Sequence, residues 1–292
     1  MTQNGIEHID LRQAVKKLDA LPAMPVIAQK LLALDLNTEE GERKLLVLIE
    51  QDPLISAKIV GLANSAMIGA SRRISTVKDS AMLLGIKRTQ SVAIGIAIMT
   101  MMAKMPTAKL SMQDLWLHSI GISFAMLAIA RFIPQKVRPK EDELFLAGML
   151  HDIGFMALAY LDPKLSDRLH TCLAAEPDRP IVEIEKTILN VGHEEIGAEL
   201  ARHWGLPDEI ISVVRHHHHP NSAEATMGRA LARMINIAEK LLPNFSISEY
   251  VNSGITADEW KALGIDPSKA EEIKLEVDEG VEEAIQFVAS VA

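Results

Sequence analysis

The 292-residue sequence has one cysteine, few aromatic residues and no alternation of apolar and polar residues that would predict a β-strand. Because Cys172 stands alone, an intrachain disulfide is excluded, which is typical of proteins in a reducing compartment. Aromatic residues make up 4% of the chain, whereas hydrophobic residues make up 48% and include 14 methionines. A core of Leu, Ile, Ala and Met at helical spacing predicts an all-α protein and argues against a β-sandwich.

Long apolar runs are missing as well. The longest covers only residues 92–103, which is too short to cross a bilayer and predicts a buried helix. The first ten residues contain neither a basic flank nor an apolar stretch, so we expect no secretory signal peptide. Together with the single cysteine, these features predict a cytoplasmic protein without membrane contact.

Positive charge is in deficit, since the formal net charge is −9. Eleven acidic residues stand against three lysines between Glu249 and Ala292, and the rest of the chain is close to neutral. A chain without a basic stripe is a poor binder of phosphate backbones, so we expect no nucleic-acid partner. Five apolar residues recur at helical spacing in the acidic segment: Ile273, Val277, Val281, Ala284 and Val288. They predict a helix that packs on the core, with a docking role for its acidic face as the alternative.

A helical period runs through almost the whole chain. Asp52 followed by Pro53 predicts one helix start among the first hundred residues. Beyond a boundary at residues 106–111, helices are predicted at about 112–132, 141–161, 163–175, 180–190, 193–204, 207–217, 223–242, 256–263 and 268–290. We therefore predict two packed helical subdomains, over residues 1–105 and 106–247, and an acidic helical extension over 248–292.

The stretch RHHHHP at residues 215–220 raises the question of metal binding, since four histidines follow one another inside the chain. Val213 and Val214 mark the inward face of the helix that leads into it. On that face, His216 and His217 are predicted to point inward, whereas His218 and His219 are expected to end the helix in solvent. A histidine run makes a metal site only if ligands from distant segments converge on it.

Candidate partners lie earlier in the chain. His118 shares a helical face with apolar residues, and His193 begins a predicted helix. In GMLHDIG, His151 and Asp152 offer an imidazole and a carboxylate, which together are a competent ligand pair. The glycines on either side of this pair leave room for a close helix approach or for a ligand. For any one of these histidines alone, a buried ring with one hydrogen bond is the simpler interpretation.

Taken in order, these segments resemble the HDOD family, the HD-related output domains of bacterial signalling. The resemblance runs from about Leu21 to at least Pro220. It is carried by LPAMP, QDPLISAKIVGLANSA, ISTVKDSAMLLG, LWLHS, AGMLHDIG, Glu185 with the following GHEEIGAELARHWGLP, and the histidine pair at 216 and 217. It implies an all-α module of two helical subdomains, the second HD-domain-like, that acts in signal transduction through a partner protein.

The related HD and HD-GYP phosphohydrolases imply a metal centre as well. Carried over by position, the implied ligands are His118, His151, Asp152, His193, His216, His217 and Glu239. Glu239 stands where the family has a shorter aspartate. The resemblance thus implies one or two divalent ions of iron, manganese, nickel or zinc and no organic cofactor. It also implies the alternative function, a metal-dependent phosphohydrolase acting on a nucleotide or another phosphodiester, in which the ions activate water and clamp the substrate.

Two departures from the HD-GYP pattern argue against cyclic di-GMP as a substrate. Phe155 follows the His-Asp-Ile-Gly motif where those enzymes have a lysine, and HHPNSAEA replaces their Gly-Tyr-Pro loop. A substrate phosphate would lose a cationic contact and the loop that shapes its pocket. We therefore expect no cyclic di-GMP phosphodiesterase activity. If no metal is bound, the histidines are expected to form a buried hydrogen-bonded network that titrates near neutral pH.

Overall fold

The computed structural model describes residues 21–104, 109–243, 245, 250 and 253–290. All regular secondary structure in these residues is helical, which confirms the predicted all-α class. The division into units at residues 105 and 247 stays a prediction, because both boundaries fall at segments outside the described residues or beside them.

The first part of the chain, as far as the structure describes it, contains five helices: α1 (Val26–Leu32), α2 (Glu39–Glu50), α3 (Pro53–Ala63), α4 (Val77–Leu84) and α5 (Ile86–Met102). The predicted helix start is confirmed, since the Asp52 side chain accepts hydrogen bonds from the backbone N–H groups of Leu54 and Ile55. Pro53 occupies the first helical position. The apolar run that begins at Val92 lies in α5 and is buried.

Ten further α-helices and one 3-10 helix follow: α6 (Met112–Phe132), α7 (Glu141–Leu150), α8 (Ile153–Leu161), α9 (Pro163–Ala175), α10 (Ile181–Ile188), α11 (His193–His203), α12 (Asp208–His216), α13 (Arg229–Leu241), α14 (Ala257–Ala262), the 3-10 helix (Pro267–Lys269) and α15 (Ala270–Ser290). Most agree with the prediction within two residues. The helix predicted from about residue 223 begins at Arg229, because Gly228 before it has a left-handed backbone with φ of 61°.

The single helix predicted over residues 141–161 is wrong in one respect, because the structure breaks it into α7 and α8. His151 closes α7, and Asp152 leaves the helical backbone with φ of −101° and ψ of 16°. The apolar period continues across the break, so nothing in the local pattern indicates it. The break allows two neighbouring side chains, which would diverge by about 100° on one helix, to approach the same point.

Helix α6 is the centre of the fold, and its residues from Leu115 to Ala130 are almost all buried. It packs against α7 on one side and against α15 on another, while α5 packs on α7. Helix α8 packs on α11, which in turn packs on α12. The five apolar residues predicted to face the core from the acidic segment are all buried on α15: Ile273, Val277, Val281, Ala284 and Val288.

By length and composition alone, α6 and the stretch Glu141–Leu161 could each cross a membrane. The pair Val77–Leu84 and Ile86–Met101, bent by 116°, would count as a third span. However, 78% and 89% of the most apolar windows of the first two are buried inside the protein. Packing against other helices therefore accounts for their apolar composition.

Candidate metal centre

Six of the seven predicted ligands meet in one buried cluster, and His218 joins them. We call this group the histidine–carboxylate cluster: His118, His151, Asp152, His193, His217, His218 and Glu239. Its members come from α6, the break between α7 and α8, the start of α11, the residues just after α12 and the last turn of α13. The six predicted members are at most 9% exposed, so the cluster lies in the protein interior.

One half of the cluster gathers around Glu239. Oε1 of Glu239 lies 3.0 Å from Nε2 of His118 and 3.0 Å from Nε2 of His151. Oδ2 of Asp152 lies 3.4 Å and 3.3 Å from the same two nitrogens, which are 3.3 Å apart. Ligands placed about 2.0–2.2 Å from one ion lie about 3–3.5 Å from one another, so these four atoms have the spacing of a ligand set.

The other half gathers around His193. Its Nε2 lies 3.2 Å from Nε2 of His217 and 3.2 Å from Nε2 of His218. The second oxygen of Asp152, Oδ1, lies 3.3 Å from Nε2 of His193 and 3.7 Å from Nε2 of His217. Three imidazoles and one carboxylate oxygen thus form a second possible ligand set.

Asp152 belongs to both halves, with one oxygen directed to each. It is 1% exposed, and neither carboxylate oxygen has a hydrogen-bond partner among the described residues. A buried ionised carboxylate without a donor is strongly unfavourable unless a positive charge compensates it. Divalent cations between Asp152 and the imidazoles would supply that charge, so the residues present fit a metal centre.

Three imidazoles are held so that Nε2 faces the cluster. Nδ1 of His151 lies 2.8 Å from the carbonyl oxygen of Gly148, and Nδ1 of His217 lies 2.8 Å from that of Val214. Nδ1 of His193 lies 2.9 Å from Oε1 of the buried Glu185. Because an acceptor faces each Nδ1, the proton belongs there and the lone pair of Nε2 points into the cluster. This arrangement is typical of metal-binding histidines and their supporting groups.

The buried carboxylates of the cluster favour positive charge on the groups beside them. Burial lowers the pKa of His118, but the carboxylates of Glu239 and Asp152 outweigh it and raise that pKa to about 10. Burial likewise lowers the pKa of His151, and Asp152 and Glu239 raise it well above its usual value. Burial raises the pKa of Asp152, but the imidazoles of His151, His118 and His193 hold it well below its usual range. The carboxylates are therefore ionised at neutral pH, and they are balanced by imidazole protons or by metal ions that displace those protons.

In the His193 half, the pKa values of His217 and His218 are both lowered. Burial lowers the pKa of His217 well below its usual value, and the neighbouring charges of His218 and His193 lower it further. Burial and His193 together lower the pKa of His218 to about 4. Both rings are therefore neutral at physiological pH, which is the form that binds metal.

Two glycines let the helices bring these ligands together. A Cβ atom on Gly148 would meet the backbone of Ser123 on α6, and one on Gly154 would meet the backbone carbonyl of His193. The predicted role of these glycines in a close helix approach is confirmed. The contact at Gly154 fixes the start of α8, which carries Asp152, directly against the start of α11, which carries His193.

Phe155 has a place in this arrangement that the sequence did not indicate. Its fully buried ring stacks on the imidazole of His193, with centroids 4.2 Å apart and an interplanar angle of 21°. The residue that stands in place of a lysine therefore helps to fix the ring plane of His193, while Glu185 holds Nδ1 of the same ring.

The structure corrects the prediction for His218, and it leaves His216, which is buried as predicted, outside the cluster. Among the described residues, His216 makes no ring hydrogen bond or ion pair with the cluster. Burial, Arg215 and His219 lower its pKa, and Glu224 opposes them. His218 was expected in solvent, but it is half-buried and joins the cluster through His193. Helix α12 ends at His216, and a turn closed by the hydrogen bond from His219 N–H to the carbonyl of His216 brings His218 inward.

Residue spacing contained no signal for this outcome, because the turn after the end of α12 sets the direction of His218. The role of Glu185 was also missed, although the residue belongs to the matching segments. It precedes His193 by eight residues, and only the turn between α10 and α11 brings its carboxylate to that ring.

A cavity of about 830 Å³ opens beside His218. His218 is the cluster residue that lines it, together with Arg233, Lys240 and Tyr250. Its volume lies within the range of about 300–1,000 Å³ typical of small-molecule sites. It therefore gives a small molecule a route from solvent to one edge of the cluster.

The charges that line this cavity are mixed. Lys240 is bonded to Glu259, and Asp258 also lines the cavity. The guanidinium of Arg233 donates to Oδ1 of Asn221 and to the carbonyl oxygen of Ala262. Glu259 thus neutralises Lys240, whereas Arg233 bonds to two neutral acceptors and is the cation that the cavity offers to an anion.

The comparisons with known proteins agree with the sequence resemblance. Residues 21–220 match the HDOD domain. A curated relative, an uncharacterised protein of Treponema pallidum (strain Nichols), is 24% identical over 212 residues. These residues are 71% of this chain but 40% of the relative, so the chain spans about two fifths of that protein.

Solved structures share the fold. A candidate signal transduction protein from Marinobacter aquaeolei VT8 superposes with a TM-score of 0.75 at 24% identity, over 97% of this chain and 65% of the other. A candidate phosphohydrolase from Shewanella amazonensis SB2B superposes with a TM-score of 0.71 at 24% identity, over 97% of this chain and 100% of the other. At such identity these likenesses establish the fold of the chain and leave its activity open.

Proposed function

The chain belongs to the HDOD domain family, and we propose that it is a signal-transduction module that acts through a partner protein and holds two divalent metal ions in its histidine–carboxylate cluster. The family and the similar signal transduction protein support the signalling role. We place this module in the cytoplasm of a bacterium, since its single cysteine suits a reducing compartment.

One observation carries the metal centre. The carboxylate of Asp152 is buried between two groups of imidazoles, without a hydrogen-bond partner on either oxygen. Each oxygen lies within 3.4 Å of at least one Nε2 atom of a different group. Two divalent ions, one held by each group of imidazoles, would give both oxygens of Asp152 a positive partner.

The ligand types favour transition metals. The ion in one half would be held by His118, His151, Glu239 and Asp152, and the ion in the other by His193, His217, His218 and Asp152. Mixed imidazole and carboxylate sets suit iron, manganese, nickel and zinc, whereas calcium and magnesium prefer oxygen ligands alone. We therefore propose a centre that binds divalent ions of that first group.

The environment of the cluster supports a regulatory role over a catalytic one. Phe155 is apolar and buried, so it offers no cation to a substrate phosphate at this position. The segment after the histidine run contains no Gly-Tyr-Pro loop. In this proposal the ions stabilise the packing of α6, α8, α11 and α13 around the cluster and thereby preserve the surface that the partner protein recognises.

A metal-dependent phosphohydrolase is the second candidate, and the cavity beside His218 favours it. Bound ions would supply Lewis-acid stabilisation to a phosphoryl oxygen. Arg233 and Lys240 line the same cavity and could orient the phosphate of a nucleotide or another phosphodiester, provided that Lys240 leaves Glu259. The similar candidate phosphohydrolase makes this class of substrate the first to test.

One assay separates the two candidates. The full chain, prepared without an affinity tag and loaded with manganese or zinc, is incubated with chromogenic phosphomonoesters and phosphodiesters and with nucleotides. The Asp152→Asn variant is the matched control, because it keeps the shape of the side chain and removes its charge. When the metal sites of the unaltered chain are fully occupied, we expect both proteins to hydrolyse these compounds only at the background rate. Turnover by the unaltered chain that disappears in the variant would establish the hydrolase.

A further inference from the structure

A smaller cavity of about 270 Å³ lies away from the cluster and is lined by three arginines. Arg88 comes from α5, Arg131 from the end of α6 and Arg138 from the loop before α7. Glu141 is the one acidic residue that lines it. Such a surplus of guanidinium groups is notable in a chain with a net charge of −9.

Two of these arginines already hold parts of the fold together. Arg88 pairs with Glu141, while its buried Nε atom has no hydrogen-bond acceptor in the part of the chain that the structure describes. Arg131 donates from Nη1 to Glu276 on α15 and from Nη2 to the carbonyl oxygen of Met67, each at 2.9 Å. The cavity therefore lies where α5 meets α6 and α7, and Arg131 links this region to α15.

Arg138 is different, because it has no carboxylate partner among the described residues. Its Nε and Nη2 donate only to the backbone carbonyls of Ile133 and Arg131, at 2.8–3.1 Å. These bonds fix the position of the guanidinium without neutralising its charge. Because Nε and Nη2 are used in these bonds, Nη1 of the fixed, partly buried guanidinium remains to donate a charge-assisted hydrogen bond to an oxyanion.

We propose that this arginine cavity binds a phosphate group, either inorganic phosphate or a small phosphate monoester, as an effector. The volume decides the size of the ligand, since about 270 Å³ lies below the range of about 300–1,000 Å³ for drug-sized molecules. A dinucleotide is too large. The phosphate supplies the negative charge that Arg138 lacks and the acceptor that Nε of Arg88 lacks.

The two helices that border the cavity also reach the metal cluster. Helix α6 carries Arg131 near its end and His118 near its start, and α7 begins at Glu141 and ends beside His151. From residue spacing, the cavity lies about 15–20 Å along these helices from the cluster. A phosphate that competes with Glu141 and Glu276 for their arginines would alter the contacts at one end of both helices, and both carry ligands at the other end.

The experiment is calorimetric titration of the full chain with inorganic phosphate, with glycerol phosphate and with sulfate. Arg138→Gln removes the charge, Arg138→Lys keeps the charge but removes the guanidinium that the backbone carbonyls hold in place, and Arg43→Gln, at an exposed position on α2, is the matched control. We expect saturable binding of phosphate, weakened about tenfold or more in Arg138→Gln and less in Arg138→Lys, with Arg43→Gln unchanged. Tighter binding of glycerol phosphate than of phosphate would identify a phosphorylated metabolite as the ligand, and the reverse order would identify free phosphate.

Three results would overturn the proposal. Binding that is unchanged in Arg138→Gln but lost on chelation belongs to the metal cluster. A response to sulfate equal to that to phosphate in every variant is an effect of ionic strength. An absence of phosphate binding to the unaltered chain at millimolar concentration also excludes an effector site. Because circular dichroism reports the fold of each variant independently, Arg138→Lys decides the question if Arg138→Gln does not fold.

Discussion

The backbone carbonyl of His193 occupies the space in which a Cβ atom on Gly154 would have to lie. Gly154 follows Asp152 by two residues, and the contact therefore fixes the distance between the Asp152 carboxylate and the imidazole of His193. Because Gly154 has no side chain, Asp152 and His193 can lie close together in one half of the cluster.

Gly154→Ala is expected to separate α8 from α11 and to cost about 1–3 kcal/mol of folding free energy or more, because the added methyl group meets backbone atoms that cannot rotate away. The same shift moves Asp152 away from His193, so we expect weaker metal binding in the His193 half. Urea unfolding and metal titration of the variant measure both effects.

Gly254→Ala is the control for this prediction. A Cβ atom at Gly254 meets nothing within 4 Å, and the residue is exposed. We expect no more than a small change in stability and none in metal binding. If Gly154→Ala behaved like this control, the close approach of α8 and α11 would not position the ligands.

The two halves of the cluster should respond separately to substitution. Glu239→Gln removes a ligand from one half and His217→Ala removes one from the other. In each variant we expect the affinity for one ion to fall about 10-fold to 100-fold or more while the other ion stays bound. Metal titration with a competing chelator resolves the two affinities.

His216→Ala is the internal control, since the ring of His216 makes no described contact with the cluster. We expect it to keep both ions, and His218→Ala to weaken the ion in the His193 half. Loss of an ion in His216→Ala with none in His218→Ala would restore the assignment of ligands made from the sequence.

Metal removal should lower the stability of the unaltered chain. A ligand present at about a thousand times its dissociation constant stabilises the folded state by about 4 kcal/mol per site. We expect a chelator to lower the melting temperature of the unaltered chain. The His151→Ala, Asp152→Ala double variant is expected to be less stable from the start, because it breaks a buried polar network, and insensitive to the chelator. Equal chelator effects on both proteins would contradict a metal in this cluster.

His170 offers a prediction on pH that is separate from the metal. Its Nε2 is buried without a partner, and burial lowers its pKa to about 4 against an opposing effect of Asp167. Since the unfolded pKa is about 6.5, the unfolded chain binds a proton between pH 6.5 and 4 that the folded chain does not. The stability present above pH 6.5 is therefore lost on acidification through this window, by at most about 3 kcal/mol.

The matched variant is His170→Gln, and urea unfolding of both proteins in the metal-free form gives the comparison. We expect the unaltered chain to lose more stability than the variant between pH 6.5 and 4. Parallel pH profiles of the two proteins would mean that His170 titrates normally in the fold.

The sequence predicted the helices well because burial on one face imposes a 3.6-residue period, which α15 shows clearly. It did not predict the break between Leu150 and Ile153, since the apolar period continues through it. The break is required by tertiary structure, because His151 and Asp152 can approach the same atoms only if the helix ends between them.

The candidate ligands were predicted from the order of the matching segments along the chain more than from any local sequence pattern. The position of Glu239 followed from the resemblance alone, and the structure brings its carboxylate to His118 and His151. His218 was expected in solvent because it lies just beyond the end of α12, and no local pattern indicates the turn that brings it inward. The contacts of Phe155 and Glu185 with His193 join separate helices, so no local pattern could indicate them.

The most direct measurement is elemental analysis of the full chain, purified without an affinity tag or added metal, beside the Asp152→Asn variant. If Asp152 bridges two ions, the unaltered chain contains about two equivalents of iron, manganese, nickel or zinc, and the variant contains almost none. The absence of metal from both proteins, even after reconstitution with these ions, would contradict the metal centre. The cluster would then be a buried network of protonated imidazoles and carboxylates.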